Sequence, residues 1–410
     1  MGRGGKMRMK SSVFCLVLTA LVVLNSCRNS DNNASISSSG NAPSKVAKTG
    51  QTDCYDDAGA VISCETTTGQ GQDGALQVGV AWPSQRFADN RDQTIADHLT
   101  NLIWSQDGTA SLATCGTGTN KTWQGALDYI GCLNANNYLG YGDWRLPNVN
   151  ELYSLINFGQ INTSTWLVSQ GFVNVQSAYW SSTSANFPGP IPSPNDDIFS
   201  IAKAVDFEHD TMASSSKTTS LHAWPVRGGQ PAILPKTGQK SCYDAAGDVI
   251  SCATLTGQGQ DGALQIGVEW PSPRFTDNGD QTITDNLTNL IWAQDVWAHS
   301  SACGTSAYTT WQGALDFTTC ANANSYLGYN DWRMPNVNEL NSLLNYGEKI
   351  DSAWLASQGF IDVQVLDHYS TSTSAMPNLT CDLNVLTDIN YVNFRPKTES
   401  YTLWLVRGGR

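Results

Sequence analysis

Residues 143–152 read Asp143-Trp144-Arg145-Leu146-Pro147-Asn148-Val149-Asn150-Glu151-Leu152, and residues 331–340 repeat them with Met334 in place of Leu146. The same offset of 188 aligns most of the surrounding chain, and residues 69–87 match 257–275 at 16 of 19 positions. A tandem duplication constrains the fold strongly, because whatever one copy adopts the other must adopt too. A chain of 410 residues is long enough for two such domains, each with its own core. The reading is a leader at 1–27, a tether at 28–48, a first domain at 49–229, a linker at 230–236 and a second domain at 237–410. The class expected is α+β, with short helices, antiparallel strands and disulfide staples in each copy.

Eight of the eleven cysteines fall at duplicated positions: Cys54/Cys242, Cys64/Cys252, Cys115/Cys303 and Cys132/Cys320. Four per copy permit three pairings, and proximity favours Cys54–Cys64 with Cys115–Cys132, then Cys242–Cys252 with Cys303–Cys320. Cys381 has no counterpart. Lys6, Arg8 and Lys10 precede an apolar run at 13–24 that ends Asn25-Ser26-Cys27, the pattern of an export signal. That address is oxidising and favours disulfides. Two outcomes are open at Cys27, lipidation of its thiol as a bacterial lipoprotein or cleavage without lipidation. Arg28 is not the aspartate that retains lipoproteins at the inner membrane, so the outer membrane is the expected address. Residues 28–48, rich in Ser, Asn and Gly, have too few apolar anchors to offset their ordering entropy and read as a flexible tether.

The net charge of −13 argues against nucleic acid, since phosphate binding needs a basic stripe. Residues 54–64 read as a small hairpin around an Asp-Asp-Ala-Gly turn. Residues 89–97, with Asp89, Asn90, Asp92 and Asp97, read as a hairpin turn or, alternatively, a cation site; their spacing is not that of a loop whose carboxylates converge on one ion. Trp123, Ala126, Leu127 and Ile130 fall at helical spacing behind a Thr122 cap. In the repeated motif Asn148 and Glu151 make a capping box. Asp143, Arg145 and Glu151 could form a catalytic grouping, but a buried Arg–carboxylate brace is the simpler reading. Ser182, within Tyr179-Trp180-Ser181-Ser182-Thr183, lacks a nucleophile elbow. Residues 204–207 pair in sequence with 391–394 as strands, and the divergent segments 186–198 and 376–388 are read as recognition loops. The five histidines have no twin in the other copy, which disfavours a duplicated imidazole site.

The ordered set Cys-Tyr-Asp, Asp-Trp-Arg-Leu-Pro-Asn, Tyr-Trp-Ser-Ser-Thr and Trp-x-Val-Arg-Gly-Gly resembles the DUF1566 family, which is similar to the C-terminal domain of the Legionella collagen-like adhesin. A weaker resemblance joins it to C-type-lectin-like and formylglycine-generating-enzyme-like folds. The resemblance implies a C-type-lectin-like fold in each copy and a secreted or surface domain with glycosaminoglycan binding and adhesion. The function expected is a surface-anchored, non-enzymatic module for a glycan or a cell-surface protein, without cofactor or metal, touching the membrane only through a lipid anchor. An enzyme of a formylglycine-like or lectin-like superfold, or a purely structural envelope protein, are the alternatives. Trp180 is the binding residue expected; Ser370 at its place in the second copy means that the ring is not duplicated. No residue marks the oligomeric state.

Overall fold

The computed structural model describes residues 44–185, 200–228, 231, 233–348, 351–365, 367–375, 381–386 and 391–409. The leader with Cys27, most of the tether, and the segments 186–198, 376–380 and 387–388 lie outside them. Among the described residues no helix is long and apolar enough to cross a membrane.

Each copy opens on a stapled hairpin. Cys54–Tyr55 pairs with Val61–Ile62, the Asp56 carboxylate accepts the Ala58 and Ala60 amides at 2.9 and 2.8 Å, and Cys54 bonds to Cys64. The second copy repeats this with Cys242–Cys252. Cys115–Cys132 and Cys303–Cys320 tie the following loop to the long helix of each copy. That helix, Trp123–Ala135, begins where the Thr122 hydroxyl accepts the Gly125 amide, and it buries Trp123, Ala126, Leu127, Ile130 and Leu133 on one face. Trp311–Ala323 is its twin, capped by Thr310.

Two kinds of sheet carry the rest. In the first copy Phe87–Asp89, Thr94–Asp97, Leu102–Ser105 and Val226–Gly228 form an antiparallel sheet of four, with an equivalent sheet in the second. The three strands that precede the last one in each copy merge into one antiparallel sheet of six. Its order is His368–Ser374, Cys381–Leu386, Tyr391–Pro396, Thr211–Ser216, Ile201–Asp206, Ala178–Ala185, and the copies join where Val392 stands opposite Met212. Tyr391–Pro396 therefore takes the place of Thr211–Ser216, not of residues 204–207. The sequence pairing of 391–394 with 204–207 is one strand out of step, because the preceding connection is much shorter in the second copy. For the same reason residues 381–386, within the expected 376–388 loop, are a strand.

The copies interlock. Residues 44–80 lean on the second copy and residues 235–266 on the first, through the same bonds in reverse. Gln51 Nε2 donates to the Ser374 carbonyl at 2.9 Å while the Ser374 amide donates to Gln51 Oε1 at 3.1 Å; Gln239 and Ser184 repeat the pair at 2.6 and 3.0 Å. The Thr373 hydroxyl donates to Asp73 at 2.7 Å, and Thr183 donates to Asp261 at 2.7 Å. Asn336 and Asn338 reach the carbonyls of Val78 and Ala47, as Asn148 and Asn150 reach those of Ile266 and Pro235. Lys397 Nζ donates to the Asp56 carbonyl from over the Trp311 ring, and Lys217 to that of Asp244 from over Trp123. One hydrophobic core accordingly holds residues of both copies, among them Trp104, Leu152, Tyr179, Trp292, Leu340 and Trp404. Smaller clusters lie around Trp123, Trp144 and Trp180 in the first copy and around Trp311 and Trp332 in the second.

Candidate functional site

The most repeated motif is structural. Arg145 grips Glu151 with two bonds of 2.5 and 2.7 Å, and Glu151 also accepts the Asn148 amide at 2.9 Å to complete the capping box. Arg333, Glu339 and Asn336 repeat this. Asp143 is drawn off to Arg227 at 2.7 Å. Asp143, Arg145 and Glu151 therefore do not act as one grouping: the Arg145–Glu151 pair braces a helix start and Asp143 is held apart by Arg227.

The carboxylates of residues 89–97 disperse. Asp97 is paired with Arg86, buried on both sides. Asp92 accepts from Thr94 and Tyr141, and the Thr94 hydroxyl first, then Tyr141, hold it below the usual carboxylate range. Among the described residues no three His, Cys, Asp or Glu side chains gather into a metal-holding group. Ser182 is buried beneath the Pro147 carbonyl, which accepts its amide at 2.7 Å. His209 pairs with Asp206, and His368, pushed down to about 4 by burial, stands 2.9 Å from Arg395.

Trp180 is not available to a ligand. Its ring is fully buried and its Nε1 donates to the Lys121 carbonyl at 2.9 Å. The strand carrying it is covered on both faces: Tyr179 packs into the shared core while Trp180 packs into the cluster beneath the long helix. A ring with no accessible face cannot stack on a sugar.

Three carboxylates and a lysine with strongly shifted pKa values are also interior. Burial raises Asp73 and Asp261 to about 6 and Asp210 to about 7, and lowers Lys203 to about 7. None of the four lines either of the two cavities described next.

Those cavities belong to tryptophans. Of the fourteen tryptophans, nine are buried, and four of the remaining five form two matched pairs. Trp82 lies 5.7 Å from Trp166 at an interplanar angle of 37°, and Trp270 lies 5.7 Å from Trp354 at 41°. All four rings are partly exposed. Each pair is held from behind: Arg86 stacks 4.5 Å from Trp82 and Arg274 stacks 4.3 Å from Trp270. The Trp82 and Trp270 Nε1 atoms donate to the Lys48 and Lys236 carbonyls at 2.9 Å. Rings fixed this way are pre-organised, so little entropy is lost when a partner stacks on them.

Beside Trp270 and Trp354 opens a cavity of about 360 Å³, bordered by Gln265, Asn345 and Gln358, a size suited to a small-molecule ligand. The first copy carries the same ring pair with Gln77, Asn157 and Gln170. A second, mostly apolar cavity of about 170 Å³ lies on the seam between the copies and is lined by both Trp82 and Trp270. The two ring pairs therefore flank one junction. Sequence reasoning passed over them although Trp82 and Trp270 sit in the stretch of highest identity, because a half-exposed tryptophan reads like a core one.

The family described as the Lcl C-terminal domain matches residues 93–227 and again 281–407. Both matches begin beyond the exchanged opening segments and beyond Trp82 and Trp270. No curated protein matches the chain.

Proposed function

The chain belongs to the Lcl C-terminal domain family, and on that premise we propose that it is a surface-anchored, non-enzymatic binding module whose ligand platforms are the two tryptophan pairs. The observation that carries this reading is the sorting of the tryptophans: most are sealed in cores, and four stand partly exposed in two matched, pre-organised pairs. An amphipathic ring backed by a cation and bordered by amides suits a glycan, which offers C–H faces for stacking and hydroxyls for hydrogen bonding. Adhesion to a cell-surface glycan or glycoprotein follows from that chemistry together with the adhesin resemblance. The chain is held at the outer membrane through a lipid on Cys27, with residues 28–43 as the spacer; the expected tether is shorter by residues 44–48, which are bonded into the fold. A catalytic reading needs a carboxylate, imidazole or amine of shifted pKa facing a cavity, and Asp73, Asp210, Asp261 and Lys203 are placed as interior supports.

A glycan array probed with the full chain tests the reading. Binding to one or more saccharides is expected, retained in chelator and lost in a Trp166→Ala/Trp354→Ala variant that keeps the wild-type circular dichroism. Absence of binding to every saccharide, or undiminished binding by the double variant, overturns it.

A further inference from the structure

We propose that the cavity on the seam between the copies binds a soluble alkyl carboxylate of medium chain length, its hydrocarbon inside and its carboxylate at Lys45 and Lys48. Such a site is additional to the tryptophan-pair platforms and stands whether or not those platforms take a glycan.

The walls carry the first half of the inference. Equivalent positions of both copies line the cavity, Val46, Val80 and Ile156 from one and Leu234, Val268 and Leu344 from the other. Val80, Val268 and Ile233 are exposed, so apolar surface runs from the cavity out to solvent. Many of the polar groups on the lining are engaged in the fold. Asn150 donates to the Pro235 carbonyl and Asn338 to that of Ala47, each at 3.1 Å. The amides of Lys48 and Val80 bond the carbonyls of Val80 and Val46, and those of Lys236 and Val268 bond Val268 and Leu234. A peptide or sugar ring inside would find few partners for its own donors and acceptors, whereas an alkyl chain needs none. The volume is about 170 Å³. An apolar cavity of about 150 Å³ holds benzene, so this one has room for about six to eight carbons.

The charges carry the second half. Lys45, Lys48 and Lys236 line the cavity and no carboxylate does, a local surplus on a chain of net charge −13. The three are not equivalent. Lys236 pairs with Glu269, but at the place of Glu269 the first copy has Ala81. At the place of Lys45 the second copy has Ile233. Among the described residues neither Lys45 nor Lys48 stands in an ion pair. A cavity whose walls are nearly two-fold is thus cationic on the first copy's segment and apolar or neutralised on the second's. That asymmetry orients an amphiphile, with its anionic end toward Lys45 and Lys48.

Calorimetric titration of the full chain with butanoate, hexanoate and octanoate tests this, with octan-1-ol and octyltrimethylammonium as the uncharged and cationic comparisons. Octanoate is expected to bind at one site per chain and to raise the temperature of thermal unfolding. Affinity is expected to rise up to about fourfold with each added methylene along the series. Octan-1-ol is expected to bind about tenfold more weakly than octanoate, and the cation not at all. Lys45 and Lys48 both reach solvent, so Lys45→Ala/Lys48→Ala is expected to keep the wild-type circular dichroism. It is expected to bring octanoate down to the affinity of octan-1-ol and to leave octan-1-ol unchanged. Octanoate bound no better than octan-1-ol, or bound equally by the double variant, overturns the inference. So does silence toward all the alkyl probes. A heparin tetrasaccharide or phosphatidylglycerol vesicles bound through these two lysines, with no alkyl carboxylate bound, assigns them to a polyanionic partner and overturns it as well.

Discussion

Replacing Arg333 with alanine is expected to lower stability by about 3–5 kcal/mol, the cost of stranding a buried carboxylate without its partner. Arg333 and Glu339 are 3% and 0% exposed, so water cannot solvate the Glu339 charge once the guanidinium is gone. The same substitution frees the Gly408 carbonyl, which Arg333 holds at 3.0 Å. It also loosens the Asn336 capping box, since Glu339 accepts the Asn336 amide. Asp143→Ala is the internal comparison: Asp143 also pairs with an arginine, but at 59% exposure, and its loss is expected to cost about 1 kcal/mol or less. Urea unfolding of the two variants beside the wild type checks the contrast. Equal effects would mean that burial does not set the strength of these pairs.

The second large effect concerns the interlock. Asp73 is fully buried and accepts Thr49 from its own copy at 2.6 Å and Thr373 from the other at 2.7 Å. Burial raises its pKa to about 6, opposed by those two hydroxyls; Asp261 stands in the same position with Thr237 and Thr183. A folded pKa above the unfolded value of 3.8 means that the folded state holds the proton more tightly. The stability this contributes is complete below pH about 4 and is lost as pH rises through about 6. A shift of about two units corresponds to on the order of 3 kcal/mol per carboxylate. Asp73→Asn keeps an acceptor for both hydroxyls and cannot ionise. It is therefore expected to flatten the fall in stability between about pH 4 and 6 and to be at least as stable as wild type at pH about 7.5. Thermal unfolding across that range reads the slope directly, and an unchanged slope would show that Asp73 does not titrate there.

Much of the local architecture is legible in the sequence because it is set by local chemistry. Asn148 and Glu151 form a capping box because a short amide and a glutamate three residues on must meet at a helix start. The cysteine pairs ten and seventeen residues apart close on themselves. The exchange of opening segments is not legible, and the reason is physical. Asp73 and Asp261 are identical, as are Thr183 and Thr373, so each of these exchanged bonds has a chemically equal alternative within one copy. Patterning cannot choose between them. The burial of Trp180 is not legible either. Alternation marks a buried and an exposed face only where one face meets water, and here both faces of the strand are covered. The partly exposed rings at Trp82, Trp166, Trp270 and Trp354 become visible as a site only when distant segments bring 82 to 166 and 270 to 354.

The most direct test of the central claim is oxidative footprinting of the tryptophans, resolved by mass spectrometry, with the full chain free and then saturated with its best array saccharide. The account predicts labelling of Trp82, Trp166, Trp270 and Trp354 in the free protein, little at buried rings such as Trp104, Trp180 and Trp404, and protection of the four when saccharide is bound. Saturable binding that leaves those four rings labelled as before would place the ligand elsewhere and contradict it.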